Sequence, residues 1–593
     1  MYFFSARKKT AFPLIVVAMV ALVAASFVTG FSSRTAHAAS TDQSVVYQGT
    51  LSSVTLLSAG PGLPTSGPAL GNTADSDGDA LANAAPLTAA DQTTAPTASN
   101  MSVNTGNGSH VKGVLHNFVG LTDPDQAAAN GGVGKAEVTP PDQGLCTGFD
   151  PGVLGQTVVF ETINSALRET GVNGKVLPGH PLLGNHDVGF SKFWEPNAFS
   201  DPRCFFLPDS RTFIFTVIGI EQSGPDKGQT TTDVAVFNRR GFAVYQIDSS
   251  FGGKFFGDQP HVGYDSNNLY ITTDAFNAVG AGFFGADLFA VPLRQLITEA
   301  ATLNEVSFPP VSLAGIPIRT LEPAISTTPT QIEYLMNSFP FTATARILST
   351  TQLGFWKVEH GEDLIEGKAQ NITLSGRVIQ SETYGFPVGA VSTGTGVNTG
   401  GITSEAILNP DDSRLLQMQF IDGHLWSALT TGLNIGTDPV ARDGIAWFDV
   451  DAREGEVSNQ GYIASAGNYL LYPAILHNEA GNTVITFTIT SATINPSAAF
   501  VVTTEDRDSD AHNRGKHGRH FGDIQIAALG GGPHLSFSDG LKVGGRARWG
   551  DYSAAAFAPN GEDFWLATEY IDAGHTDPFD NWATQVFAVQ GAD

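Results

Sequence analysis

An all-β chain folded as a seven-bladed β-propeller, with six or eight blades as the alternatives, is what this sequence predicts, on three observations. Of 593 residues only 15% are charged, while 66 are Gly, 39 are Phe and aromatics reach 10%. That balance suits short strands and tight turns rather than helical bundles. A unit of two short strands around a turn recurs from about residue 112 onwards. Strand-like segments also stand at both ends of that region, Val114–Phe118 and Gln585–Val589, where a ring would have to close on itself.

The chain starts with an export pattern. Arg7, Lys8 and Lys9 precede an apolar run from Phe12 to Val28, and Ala36-His37-Ala38 offers small residues where a signal peptidase inspects them. Residues 1–38 are therefore expected to be a cleaved signal peptide; the alternative is an uncleaved anchor at the lower length limit for spanning. Cleavage would move the formal charge from −27 to −31, because Arg7, Lys8, Lys9 and Arg34 leave and no acid does. A chain this acidic repels phosphate backbones and anionic lipid, which argues against nucleic-acid partners. No second apolar run of that length follows, so the expected product is secreted or surface-associated, without a membrane span, and monomeric.

Residues 39–111 are rich in Ala, Ser, Thr, Gly and Pro, with one short strand-like run at Ser53–Leu57. Such a segment buries little apolar surface and reads as a flexible leader. Inside it, Asp75-Ser76-Asp77-Gly78-Asp79 looks like the start of a calcium loop, although Pro86 stands where the twelfth-position Glu belongs, which favours a solvated turn. Calcium is the cofactor this acidic run suggests.

From residue 112 to 593 the chain reads as one propeller domain. Its clearest repeat is Asp201-Pro202-Arg203-Cys204-Phe205-Phe206, a turn at Pro208-Asp209-Ser210, then Thr212–Val217. The next is Asp258-Gln259-Pro260-His261-Val262-Gly263-Tyr264 followed by Leu269–Thr273. Further copies open near Asp142, Glu322, Ser413, Tyr472 and Asp551. Such spacing, with insertions at roughly 380–412 and 506–520, fits blades of about 40–60 residues. Proline in the second position suits a strand start, where no ladder donor is needed. Cys146 and Cys204 are the only cysteines. In an oxidising compartment a lone pair most simply forms one disulfide, two buried thiols being the alternative.

Equivalent strand openings should gather at one end of a central funnel. Asp142, Asp201, Asp258, Glu322, Asp412 and Asp551 would then be neighbours, with Arg203, Arg414 and Arg548 close by. Crowded carboxylates are relieved by a cation, by Arg partners or by taking up a proton. Guanidinium groups converging from several blades could hold a ligand carboxylate in bidentate fashion. An acid among Asp201, Glu322 and Asp551 could protonate a glycosidic oxygen. His261, Tyr264, His424, Trp426, Trp549 and Tyr552 are candidates for a base or a stacking platform, with inter-blade packing as the alternative for the two tryptophans. The bland alternative for the acids is capping of the strand-start turns. His512, His517 and His520, with Asp508 and Asp510, could bind zinc or copper, or form a solvated rim loop; His186-Asp187 in Gly184-Asn185-His186-Asp187 is either a site edge or a turn. Nucleophile elbows, phosphate loops and His-Glu-x-x-His are absent.

Pro140-Pro141-Asp142-Gln143-Gly144-Leu145-Cys146, Asn164-Ser165-Ala166-Leu167-Arg168, Ser200-Asp201-Pro202-Arg203-Cys204, Gly257-Asp258-Gln259-Pro260-His261, Gly444-Ile445-Ala446-Trp447-Phe448 and Arg548-Trp549-Gly550-Asp551-Tyr552-Ser553 together resemble secreted bacterial β-propeller proteins. The resemblance spans about residues 112 to 590 and implies a propeller, export and a Cys146–Cys204 bridge, but no established activity. A looser resemblance is to sialidase-type propellers, which display an arginine triad; their Ser-x-Asp-x-Gly-x-Thr-Trp boxes are missing here, and Glu569-Tyr570 is the available tyrosine–glutamate pair. The leading expectation is a propeller that binds an extracellular glycan or other polymer at the funnel. The alternatives are a glycoside hydrolase or polysaccharide lyase using funnel acids and arginines, and a non-catalytic adhesion or protein-interaction scaffold.

Overall fold

The computed structural model describes residues 44–60, 73–74, 94–104, 113–131, 138–177, 188–190, 198–221, 228–278, 282–342, 344–395, 398–399, 402–404, 406–503, 520–536, 546–574 and 580–591. All of them belong to one compact unit, Thr41–Asp593. The expected signal peptide, the Asp75–Asp79 loop, the Gly184–Asp187 turn, and His512 and His517 lie outside the described residues.

The protein is all-β. Its strands follow one another as antiparallel meanders in chain order. The first runs Gly144–Phe149, Thr157–Ile163, Ala166–Gly171 and Val188–Gly189. The second runs Ala198–Leu207, Thr212–Ile220, Thr230–Asn238 and Gly241–Ile247. The third has Phe255–Tyr264, Asn268–Asn277, Phe283–Pro292 and Thr302–Phe308. The fourth has Glu322–Ser326, Glu333–Asn337, Thr350–Glu359 and Thr373–Tyr384. Met418–Ile421, His424–Ile435, Arg442–Asp451 and Glu456–Ile463 make the fifth. Tyr469–His477, Thr483–Thr490, Ser497–Val502 and Ile524–Ala528 make the sixth. In the seventh, Ala554–Phe557, Phe564–Ile571 and Trp582–Val589 are completed by Val114–Thr122, which joins in the register Val586↔Phe118. The two chain-end segments expected to meet do so.

The leading strands of successive meanders lie against one another, and that of the seventh lies against that of the first. Two of these contacts are parallel pairings, Tyr264↔Ile325 and Ala324↔Met418. They approach so closely that a Cβ on Gly263 would stand 2.4 Å from the Ala324 carbonyl oxygen, which explains a glycine inside a strand. Second strands such as Thr212–Phe213-Ile214-Phe215-Thr216-Val217-Ile218 are buried on both faces, and so read as unbroken β-branched and aromatic runs.

The core is a series of layers between adjacent meanders. Phe160 packs edge-on against Phe213, ring centroids 4.7 Å apart, between the first and second. Tyr245, Leu269 and Phe289 fill the next layer, and Trp356 with Leu335 the one between third and fourth. Cys146 and Cys204 are disulfide-bonded and tie the leading strands of the first two meanders together.

One expectation is corrected here. The start of the 39–111 region is not a bare spacer. Ser44–Gln48 pairs with Thr373–Tyr384 along the edge of the fourth meander. Thr50–Gly60 pairs first with Thr302–Phe308 and then with Gly241–Ile247, so it bridges the edges of the third and second. Val54 is buried and the Tyr47 hydroxyl bonds Ser312 on both its N–H and its carbonyl. Composition conceals this because an edge strand needs only one apolar face, and here that face is sparse.

Candidate functional site

The site is built where the leading strands open. Each of six openings carries a non-glycine residue in the left-handed region: Asp142 (φ 48°), Asp201 (53°), Gln259 (46°), Thr320 (49°), Asp411 (54°) and Tyr472 (54°). At Asp201, Gln259 and Tyr472 a proline follows, and the ladder register breaks there as a bulge. Proline withholds a ladder donor and the bulge re-aims neighbouring side chains. Left-handed backbone at non-glycine residues costs about 1–3 kcal/mol each, so its repetition at one level of the molecule marks a place the surrounding structure over-determines.

Asp201, Asp258, Asp274, Arg319, Arg414 and Asp551 line one small cavity at this level. Asp142, Asp201 and Asp551 are all buried, and one carboxylate oxygen from each lies within 4.8 Å of the others. Asn164 ties the group together: its amide donates to Asp142 at 2.7 Å, and its carbonyl accepts the Asp201 N–H at 2.7 Å. The Asp551 N–H donates to Asp142 at 2.8 Å, and Arg548 reaches Asp551 at 3.1 Å. Three oxygens so spaced are able to share one divalent cation. Behind them Glu569 accepts from the Gly550 N–H at 2.8 Å. Burial first, and then the charges of Asp142 and Asp580, hold its carboxyl well above the usual range.

A second charged group shares the cavity. Arg414 donates to Asp412 through Nε at 3.0 Å and Nη2 at 2.8 Å, pairs with Asp411 at 2.6 Å, and bonds the Gln259 amide oxygen. Burial opposes its charge, but Asp411 and Asp412 more than offset that and hold the guanidinium well above its ordinary pKa. Burial likewise opposes the Asp412 charge, and Arg414 and Arg319 override it, so Asp412 lies below the usual carboxylate range. Arg319 meets Asp274 at 3.3 Å and lies over the Phe276 and Phe283 rings, each 5.0 Å from its guanidinium carbon. One step along the leading strands, the His261 Nδ1 meets the Glu322 carboxylate, both buried. Arg203 lies 3.5 Å over the Tyr552 ring, whose hydroxyl donates to the Pro202 carbonyl at 3.0 Å. Arg203 and Glu322 line a neighbouring cavity.

The structure thus brings Asp201, Asp258, Arg414 and Asp551 into one cavity, with Arg548 bound to Asp551 and Arg203 beside Tyr552. Glu322 and His261 sit next to that group. Two expected platforms stand elsewhere. Trp426 lies on a second strand, buried between the fifth and sixth meanders, with its ring 4.3 Å from His477 and 6.1 Å from Trp447. The Trp426 ring stacks on His477 of the sixth meander and does not line the cavity of Asp201 and Asp258, so Trp426 is packing. Trp549 is buried as well, its Nε1 donating to Thr488 at 3.3 Å and its ring edge-on to His534. His424 pairs with Asp449 at 2.6 Å at the far hairpin end. The three predicted arginines do not form an open claw, because Arg414 and Arg548 are held by acids and Arg203 by an aromatic ring.

Arg319, Asp274, Asn164 and Gln259 were not foreseen as partners. Arg319 had a readable signal, since it precedes Glu322 by three residues as Arg548 precedes Asp551. Asp274 and Asn164 had none; they reach the hub from second strands or turns.

No family model matches this chain, and no curated protein does. Among solved structures it is similar to a Hadza microbial sialidase, with 9% identity, 74% of each chain covered and a TM-score of 0.34. It is similar to a sialidase of Trypanosoma rangeli at 11% identity, covering 66% of this chain and 55% of that one with a TM-score of 0.32. A GH43 endo-arabinanase from Bacillus licheniformis is matched at 9% identity over 52% of this chain and 94% of that one, with a TM-score of 0.24. Identities this low leave the function to be argued from the chain's own residues.

Proposed function

We propose that the chain is an exported, seven-bladed propeller that binds an extracellular glycan at the hub opening and does not cleave it. The observation that carries this reading is the convergence of Asp201, Asp258, Arg414 and Asp551 from separate meanders around one cavity of about 10 Å³, so that a sugar would lie across the opening and not inside it. Three of the cavity's acids already accept hydrogen bonds, Asp258 from the Gln259 N–H, Asp274 from the Thr320 N–H and Asp551 from Arg548. Acids held in this way position the openings and are poor proton shuttles. Among the described residues Asp258, Arg203 and Arg548 are half-buried polar groups at this level that solvent still reaches, and paired acceptors and guanidinium donors suit sugar hydroxyls and uronate carboxylates. The Cys146–Cys204 bond fits an oxidising compartment, and no helix among the described residues is long and apolar enough to cross a membrane.

Binding to a glycan array by the mature chain, run beside a reducing-sugar assay on the glycans retained, tests this. Asp258→Ala and Arg548→Ala should each weaken retention about tenfold with thermal unfolding little changed, and no sugar should be released. Retention untouched by both variants would remove the hub as the binding place. A second reading, hydrolysis, is favoured by Glu569, a buried acid beside Asp142 and Asp551 whose carboxyl burial pushes well above the usual range. In that case sugar release would be seen and lost in Glu569→Gln.

A further inference from the structure

The far end of the leading strands carries a different kind of space. There, the turns at Pro208–Ser210, Asp265–Ser266, Thr327–Pro329 and Ala558–Gly561 ring a cavity of about 720 Å³. Its walls are the last residues of the leading strands and their neighbours: Phe205, Leu207, Tyr264, Ile325, Ile421 and Phe557. Phe205 and Tyr264, from adjacent meanders, meet edge-on with centroids 6.2 Å apart. A chamber of this volume and apolar lining is the size class that takes a small organic molecule.

Ile421 and Glu479 also line a smaller recess of about 110 Å³, so the two spaces adjoin. The recess is polar. It gathers Asp422, Asp449 and Glu479 with His424 and His477, and neither lysine nor arginine lines it among the described residues. His424 is paired with Asp449 at 2.6 Å, and the His477 Nδ1 is 2.9 Å from the Thr483 hydroxyl. Carboxylates outnumber imidazoles there. In the chamber, Asp209 and Glu479 face a single arginine, Arg294, while Asp265 is already taken by the Asn267 and Asn268 N–H groups and the Tyr270 hydroxyl. An anionic head would meet repulsion; a cationic head would meet its complement.

We propose that this compartment is a binding site for a small amphiphilic cation, with its apolar body in the chamber and an ammonium head at the Asp422, Asp449 and Glu479 recess. The site uses the opposite ends of the leading strands from the hub and stands independently of the glycan reading. The wall supplies transfer free energy in proportion to apolar area covered, and the recess supplies the sign preference.

Calorimetric titration of the mature chain with octyltrimethylammonium, 1-octanol and octanoate, which share one tail and differ in charge, tests it. The cation should saturate a single site and bind at least about tenfold more tightly than octanoate, with octanol between them. Asp422→Asn with Glu479→Gln, both at exposed positions, should cost the cation about tenfold and leave octanol unchanged. Ile325→Trp should weaken all three at unaltered thermal unfolding; Ala556→Trp, on a different meander, plugs the same chamber if Ile325→Trp fails to fold. Equal affinity for cation and octanoate, absence of saturable binding, or indifference to the folded plug variant would overturn the proposal.

Discussion

Arg414 is 4% exposed and is met by two carboxylates and one amide oxygen. Removing one member of such a group leaves the others charged and buried, which costs about 3–5 kcal/mol. Arg414→Met is therefore expected to lower equilibrium stability in urea by that amount, and adding Asp411→Asn and Asp412→Asn should recover a large share. An effect under about 1 kcal/mol would mean that water reaches the acids. The Asp-Asp-Ser-Arg run made the pairing readable, because the partners are two and three residues apart and a turn suffices to bring them together. Trp426 shows the opposite case. Its residue type was right for a platform, but which neighbour a side chain meets depends on how meanders stack, and no local pattern shows that.

Two elements beyond the meanders tie the structure together. The Cys146–Cys204 bond closes a loop with a sequence separation of 58. On the chain-entropy account a loop of that length contributes about 4 kcal/mol by restricting the unfolded chain. Cys146→Ser with Cys204→Ser should therefore lower stability in urea by a few kcal/mol, with a steeper slope because the unfolded chain expands, and a neutral result would show that the first two meanders are held by packing alone. The edge strands Ser44–Gln48 and Thr50–Gly60 cover the outer rows of N–H and C=O groups on three meanders. Uncovered edges are templates for another chain. A variant lacking residues 39–61 should lose thermal stability and associate, as read by light scattering on a sizing column; a stable monomer would show that these strands are ornamental. Their partners lie about 180 to 330 residues away in sequence, so the 39–111 segment could only look like a spacer when read locally.

At the scale of the whole molecule, buried acids set the response to pH. Burial foremost pushes Glu161 and Asp233 up to about 7 and Asp443 to about 6, against ordinary values of 4.5 and 3.8. Burial also holds Asp287 and Glu333 well above the usual range. Between pH about 4 and 7 the folded chain keeps protons that the unfolded chain has shed, so stability present at the acid end is lost as pH rises through this window. Asp438, held low mainly by its bond to Arg442, works in the other direction only as pH drops below about 4. The unfolding temperature should therefore be highest near pH 4–5, fall to about pH 8 and then level. Asp233→Asn should raise it at pH 8 and not at pH 4.5, and a rising profile between pH 5 and 8 would refute the assignment. The sequence by itself determined the all-β class, the places where strands open and the two end segments that pair, because these rest on composition, turn residues and alternation over a few positions. The tertiary structure alone decided which hub acids are satisfied, which tryptophans pack and where an apolar chamber opens. Those depend on contacts between residues far apart in the chain, and a carboxylate's chemistry is set by the groups packed around it.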